Sequence, residues 1–267
     1  MKYWKLPVAA ALFFGFVGVF IVCGCGIIAD KLTFLPRNDT YPGLKDVVSA
    51  DLETGGHIAL RYLPPARPDG TVFLHCHGNS ESLGTIAWRQ ELFHRHGYGI
   101  LAFDYEGYGR STGKASEEAV ERDVLRAWKY LTEKLKIPPR RIVIHGYSLG
   151  TGAACFLASR VPEAKALILE APFTSIYAVA GLGWMPGNRF PSDRRIGKVP
   201  FPVMIVHGSG DTVIPVAHGE KLYALVRSPG KRFFKVQGAG HNDIIGVAGG
   251  EYWRNLAEFL KAGRNRQ

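Results

Sequence analysis

Cysteine is scarce. The chain has four in 267 residues, and two of them, Cys23 and Cys25, lie in an apolar stretch near the start. Cys76 and Cys155 are left for a folded domain, too few for a disulfide-stapled scaffold and without the paired spacing of a zinc ribbon. Cys76 is expected to end a strand and Cys155 to sit inside a helix, so two buried thiols are expected, not a bridge. His75-Cys76-His77 has the residue types of a metal site. On a strand, though, the two histidines share one face and the cysteine takes the other, so the three do not converge. No metal and no organic cofactor is expected. Acids are scarce too, with 23 against 33 basic residues, for a formal net charge of +10. The basic surplus is scattered apart from Asp193–Lys198 and Lys261–Arg266. With no finger spacing, heptad or aromatic RNA-binding motif, a nucleic-acid partner is not expected. Internal repeats and low-complexity linkers are missing, and the 32 glycines follow no collagen period. What is present excludes disorder: 46% of residues are hydrophobic and 12% aromatic, enough for a sizeable core.

Charge is also missing from one long run. Residues Leu6 to Ala29 carry none, with Lys2 and Lys5 before them and Asp30 and Lys31 after. A spanning helix needs about 20 apolar residues, and a cleaved signal usually has about 7–15. Residues 1–30 are therefore read as an uncleaved membrane anchor, with the basic flank inside and the rest of the chain outside the cytoplasm. The rival reading is a lipoprotein-type signal, because Val22-Cys23-Gly24-Cys25 resembles a lipobox with Cys25 as the lipidated residue. Both put a tethered domain of residues 31–267 on the extracytoplasmic side. The oligomeric state is not readable.

From residue 46 onward, strand-like and helix-like segments alternate. Asp46–Leu52 and His57–Leu63 read as a hairpin through Glu53-Thr54-Gly55-Gly56. Short apolar runs follow at Thr71–Cys76, Gly99–Phe103, Arg141–His145, Ala166–Glu170, Val203–His207 and Arg232–Val236, as suits strands buried on both faces. The clearest helix is Glu117–Leu135, with Val120, Val124, Trp128, Leu131 and Leu135 at helical spacing, Ser116 as its cap and Pro138-Pro139 as its stop. The last helix is expected over Glu251–Lys261. This order predicts an α/β fold, a mostly parallel central sheet with helices on both faces.

Gly146-Tyr147-Ser148-Leu149-Gly150 matches G-x-S-x-G, and it stands where the motif needs to stand, between a strand at Arg141–His145 and an alanine-rich helix at Leu149–Arg160. A serine hydroxyl attacks only when a base takes its proton. Among nine histidines, His241 fits best, in the loop after the last strand. A carboxylate must then orient that imidazole. Asp211 is the choice, following Val203–His207, with an Asx-turn role as the bland alternative and Glu170 and Asp104 as back-up acids. For the oxyanion, the N–H groups of Leu149 and Asn79 are the candidate donors, Asn79 lying in His77-Gly78-Asn79-Ser80 after the first parallel strand.

Taken together, His77-Gly78-Asn79, Asp104–Ser111, the Ser148 motif, His207–Asp211 and Gly240-His241 resemble the α/β-hydrolase superfamily. Within it they are similar to the branch of membrane-tethered hydrolases related to mammalian alpha/beta-hydrolase-domain depalmitoylases. The resemblance spans about residues 32–262. It implies an α/β-hydrolase fold with a short lid at residues 171–202, and a Ser148-His241-Asp211 triad cleaving carboxylic esters or thioesters through an acyl-enzyme. The alternatives are a serine aminopeptidase-like hydrolase and a non-catalytic hydrolase-fold scaffold at the membrane. Arg189, Arg194, Arg195 and Lys198 in the lid segment are expected to form a basic patch able to face anionic lipid.

Overall fold

A computed structural model describes residues 30, 33–37, 39–183 and 188–262 of the chain. The chain divides into two units after Leu35. The apolar segment Leu6–Ala29, with Cys25, lies outside the described residues, as do Trp184 and Met185 of the lid segment. Among the described residues no helix is long and apolar enough to cross a membrane.

The unit from Pro36 onward is built on one eight-stranded sheet. Its strands are β1 (Val47–Asp51), β2 (His57–Leu63), β3 (Val72–Cys76), β4 (Gly99–Phe103), β5 (Ile142–Tyr147), β6 (Ala166–Glu170), β7 (Val203–Gly208) and β8 (Lys231–Val236), ordered β1-β2-β4-β3-β5-β6-β7-β8. The β1–β2 and β2–β4 pairings are antiparallel and the other five are parallel. This is the mostly parallel sheet that the alternating pattern predicted. Strands β3 to β7 are buried along their whole length, as apolar runs without alternation require.

Helices cover both faces. On one, Phe73, Val143, Ile168 and Met204 pack with Phe93 of α1 (Ala87–Arg95) and with Tyr252, Leu256 and Phe259 of α8 (Gly250–Ala262). Leu74, Ile144, Leu167 and Ile205 alternate to the other face and are equally buried. There α2 (Glu117–Lys129), α3 (Gly150–Ala158) and α6 (Ala217–Leu225) lie against the strands. Between α3 and α6 come two short helices, α4 (Ile176–Val179) and α5 (Ser192–Arg195), and α7 (Ile244–Ala248) precedes α8.

The expected stripe from Val120 to Leu135, which runs on past the end of α2, is only partly core. Val120, Val124 and Leu131 are buried, whereas Trp128 and Leu135 are half-exposed. Ser116 caps the helix as expected, its side chain accepting from the Ala119 N–H. The end differs from expectation. Residues Tyr130–Lys134 widen into a π turn, Leu135 N–H bonds the Tyr130 carbonyl, and Lys136 takes a left-handed φ of 54°. The helix has closed before Pro138 acts, since a residue at that φ cannot continue it.

Candidate active site

Ser148 sits at the turn between β5 and α3 with φ 51°, a strained value for a residue with a Cβ. Its own N–H is held by the Glu170 carbonyl at 3.0 Å, and its carbonyl accepts from the Thr151 N–H and hydroxyl. The flanking glycines are required by space. A Cβ on Gly150 would collide with the Cys76 carbonyl, and one on Gly146 would lie 2.5 Å from the Gly150 carbonyl oxygen. The strand and helix therefore approach more closely than side chains permit, and the serine is left at the crest of the turn.

Asp211 and His241 are brought together by two loops bonded to each other. Gly210 N–H donates to the Ala239 carbonyl, and Gly238 N–H donates to the Ser209 hydroxyl, each at 2.9 Å. A Cβ on Gly208 would strike the Ala239 carbonyl, so the β7 and β8 loops touch backbone to backbone. Ser148 Oγ then lies 2.9 Å from His241 Nε2, and His241 Nδ1 lies 2.8 Å from Asp211 Oδ2. All three expected residues converge in one line. The Asx-turn role is real as well, because Asp211 Oδ1 accepts from the Val213 and Ile214 N–H groups at 2.9 and 2.8 Å. One oxygen fixes the loop and the other faces the histidine.

The Asp211 side chain is fully buried. Burial pushes its carboxyl up, but hydrogen bonding from His207, His241 and the Ile214 amide outweighs that and holds it well below the usual carboxylate range. His207, near the end of β7, acts as a hydrogen-bonding residue. Its Nε2 donates to the Ile214 carbonyl at 2.8 Å and lies 3.4 Å from Asp211 Oδ2.

The strand register sets the other half of the site. Cys76 pairs with Gly146, so Asn79 and Leu149 each lie three residues past a paired position on adjacent strands. Asn79 is fixed by the Tyr108 hydroxyl, which donates to its Oδ1 at 2.7 Å, and Gly78 N–H is held by Glu81 at 2.6 Å. Leu149 begins the first turn of α3.

Neither back-up acid reaches His241. Glu170 is buried and engaged by Arg89 at 2.7 Å, by His145 Nε2 at 2.9 Å and by the Tyr252 hydroxyl. Burial raises its carboxyl, and the neighbouring Arg89 and His145 overcome this and hold it below the ordinary range. Asp104 accepts from the Tyr41 hydroxyl and the Leu83 N–H, shaping the loop between β4 and α2. The remaining histidines serve packing and hydrogen bonding: His145 contacts His75, His218 contacts Thr174, and His96 stacks on Trp253. Cys76 and Cys155 are free and buried, and no cluster of metal-binding side chains occurs among the described residues.

Two further residues support the site. The Tyr147 hydroxyl donates to Asn242 Oδ1 at 2.6 Å and lies 3.2 Å from the His241 carbonyl, tying the histidine loop to the residue before the serine. Beneath it, the Arg89 guanidinium lies 4.8 Å from the Tyr147 ring centre. The position of Tyr147 inside the motif was a usable signal; Arg89 gave none. A cavity of about 290 Å³ opens on the His241 side, walled by Trp88, Arg89, Leu92, Tyr147 and Ile245.

The lid segment packs down over much of its length. Phe173, Phe190, Ile196, Val199 and Phe201 are buried. The expected basic patch needs correction. Arg195 pairs with Glu117 and Glu121 at 3.2 and 2.6 Å, and Arg189 pairs with Glu118 at 3.5 Å, each arginine being under one-fifth exposed. The acids of α2 draw these two charges inward, and Arg194 and Lys198 alone of the four stay exposed.

A hydrolase-type sheet with a serine elbow and an adjacent histidine defines the class, and comparison with known proteins agrees. The chain is 32% identical over 270 residues to alpha/beta hydrolase domain-containing protein 17B of Xenopus laevis, covering 88% of this chain and 91% of that one. It is 36% identical over 230 residues to an uncharacterized Mycobacterium tuberculosis protein, covering 80% of each. A family described as serine aminopeptidase, S33 (Hydrolase_4), matches residues 66–192. Among solved structures, a Pyrococcus furiosus esterase superposes with a TM-score of 0.70 at 20% identity, covering 86% of this chain and 98% of that one. The chain belongs to the α/β-hydrolase superfamily, as a hydrolase related to the alpha/beta hydrolase domain-containing protein 17 group.

Proposed function

We propose that this protein is a serine hydrolase that cleaves carboxylic esters or thioesters through an acyl-enzyme. The observation that carries the reading is the Ser148–His241–Asp211 relay, with contacts of 2.9 and 2.8 Å. Ser148 attacks the acyl carbon as His241 Nε2 takes its proton. The tetrahedral oxyanion is held by the amides of Leu149 and Asn79, and His241 then gives the proton to the leaving alcohol or thiol. Water, deprotonated by the same histidine, releases the acid. Asp211 holds the imidazole tautomer and offsets the charge that forms on it. No step calls on a cofactor. Ser148→Ala is expected to abolish both hydrolysis of a short-chain aryl ester and labelling by a fluorophosphonate. Undiminished labelling of that variant overturns the assignment.

Peptide cleavage is the second reading, favoured by the description of the matched family, whose match stops short of Asp211 and His241. An aryl ester and an aminoacyl arylamide, assayed side by side, separate the two. A folded enzyme that hydrolyses neither and takes no label is instead a scaffold. The uncharged run Leu6–Ala29 after Lys2 and Lys5 supports a membrane tether, spanning or lipidated at Cys25, with the catalytic unit outside the cytoplasm. Protease added to intact spheroplasts then digests that unit, and full protection overturns the topology.

A further inference from the structure

The loops that enter the central strands converge on a cleft unconnected with the serine. Thr71, Tyr98, Arg141 and Lys165 immediately precede β3, β4, β5 and β6, four neighbours running parallel. They lie along the edge where those strands begin, and Arg67 and Arg140 join them around a cleft of about 500 Å³. Ser148, Asp211 and His241 follow the opposite ends of β5, β7 and β8. A six-residue strand such as β5 separates the two edges by about 20 Å.

The cleft's charge is one-sided. Arg67, Arg140, Arg141 and Lys165 line it against a single acid, Asp69, which Arg67 already engages at 2.9 Å. Arg141 is set in place from behind. Its Nε and Nη2 donate to the Gly70 carbonyl at 3.0 and 2.8 Å, and Nη2 also reaches the Pro68 carbonyl. Its Nη1 makes no hydrogen bond among the described residues, and Arg140 is without an ion-pair partner there. The ring of Tyr98, braced against Phe73 at 5.1 Å, forms part of the wall, with His96 held beside it by its stack on Trp253. Like charges gathered in a concave site repel one another and focus a positive potential, which a multiply charged anion offsets. A guanidinium fixed by backbone carbonyls presents its remaining N–H groups at little further entropic cost, the arrangement that suits a phosphate oxygen.

We infer that this cleft is a binding site for a phosphate-bearing anion, a diphosphate or an organic phosphate whose remainder lies against Tyr98. The cleft is larger than a phosphate group needs, so the phosphate is either that of a free small molecule or that of a lipid headgroup. The inference is independent of the chemistry proposed for Ser148.

The test is calorimetric titration of pyrophosphate into the full chain in neutral-detergent micelles, with sulfate at matched ionic strength as the control. The Arg140→Glu/Lys165→Glu variant is titrated in parallel, with Arg140→Gln as a milder version should the first fail to fold. Thermal midpoints check folding. Saturable one-to-one binding of pyrophosphate, weakened at least tenfold by the double charge reversal or several-fold by Arg140→Gln, supports a site for a free phosphate. Micelles doped with phosphatidic acid test the lipid source. A rise in thermal midpoint over phosphatidylcholine-doped micelles, absent in the variant and unaccompanied by pyrophosphate binding, assigns the site to a phosphate headgroup. Binding of neither, binding that the variants retain in full, or equal binding of sulfate overturns the proposal.

Discussion

Tyr147→Phe removes one hydroxyl and leaves the ring, and it tests whether the histidine loop is held from the serine side. The hydroxyl lies 2.6 Å from Asn242 Oδ1 and 3.2 Å from the His241 carbonyl. A buried hydrogen bond contributes about 0.5–1.5 kcal/mol net, and the first of these two is the stronger by its length. A loss of about 1 kcal/mol in stability is expected, read as a fall of about 2–4 °C in thermal midpoint for a domain of this size. The effect on rate is separate. The Asp211 contact and the stitches between the β7 and β8 loops remain, so His241 loses one support of several, and kcat for an aryl ester is expected to fall about tenfold, equivalent to about 1.4 kcal/mol. KM stays near its original value, because the hydroxyl is engaged by the loop. Fluorophosphonate labelling slows in parallel. Asn242→Ala acts on the same contact, so the double variant loses little beyond either single one. A kcat within twofold of the original, together with the lowered midpoint, makes Tyr147 a packing residue only. Fully additive losses refute the shared contact.

Three further outcomes follow from the charges and thiols. Asp211 is held ionised well below the usual carboxylate range, and a histidine base accepts a proton only when it is neutral. Activity of a neutral aryl ester is expected to rise with pH to an alkaline plateau, and a flat rate between about pH 5 and 9 contradicts a histidine base. Glu117 is raised by burial from 4.5 to about 6 despite its bonds from the Phe190 amide and Arg195. The folded state therefore binds more protons than the unfolded one between those values, so stability from this group is full below about pH 4.5 and is lost as pH rises through 6. The change, about 2 kcal/mol, appears in denaturant unfolding at pH 4.5 and 7 and vanishes in Glu117→Gln; an unchanged slope in that variant contradicts it. Burial pushes the Cys155 thiol up to about 12 and the Cys76 thiol higher still. In a Cys23→Ser/Cys25→Ser background the native chain should be inert to a disulfide reagent and release two equivalents on denaturation; rapid native reaction contradicts the burial.

The parts of this fold that were legible from sequence are those governed by neighbours in the chain. Apolar runs bounded by glycine, proline or charge located all eight strands to within two residues. The strand, tight turn and helix around Ser148 follow from local patterning, as does the position of Asp211 and His241 just past strand ends. Contacts between distant segments left no such trace. Arg89 meets Glu170 across 81 positions, and Arg195 meets Glu117 across 78. Whether such a pair forms depends on how elements cross, and hydrophobic period carries nothing about that. The π turn at Tyr130–Lys134 escaped for a related reason. It shifts the helix by a fraction of a turn while Leu131 stays buried, so the periodic stripe reads as continuous.

Net charge illustrates the same limit, and it changes where electropositive character resides. A total of +10 identifies no face. The run Arg194-Arg195-Ile196-Gly197-Lys198 looked like the basic surface because its cations are adjacent in sequence. Folding sets α5 against the acidic start of α2, and Arg195, with Arg189 from the preceding loop, is neutralised at close range. Arg61, Arg89 and Arg122 are paired in the same way with Glu91, Glu170 and Glu106. Arg67, Arg140, Arg141 and Lys165 come from three separate loops and never formed a run, yet the parallel sheet gathers them at one edge because each loop must enter its strand there. Parallel topology thus separates two chemistries by construction. The strands' carboxyl ends present the elbow and the histidine loop, while their starting ends collect whatever the incoming loops carry. An anion drawn to the starting edge does not compete for the space beside Ser148, so the cationic cleft and the cavity beside His241 lie in one small domain without sharing a lining residue.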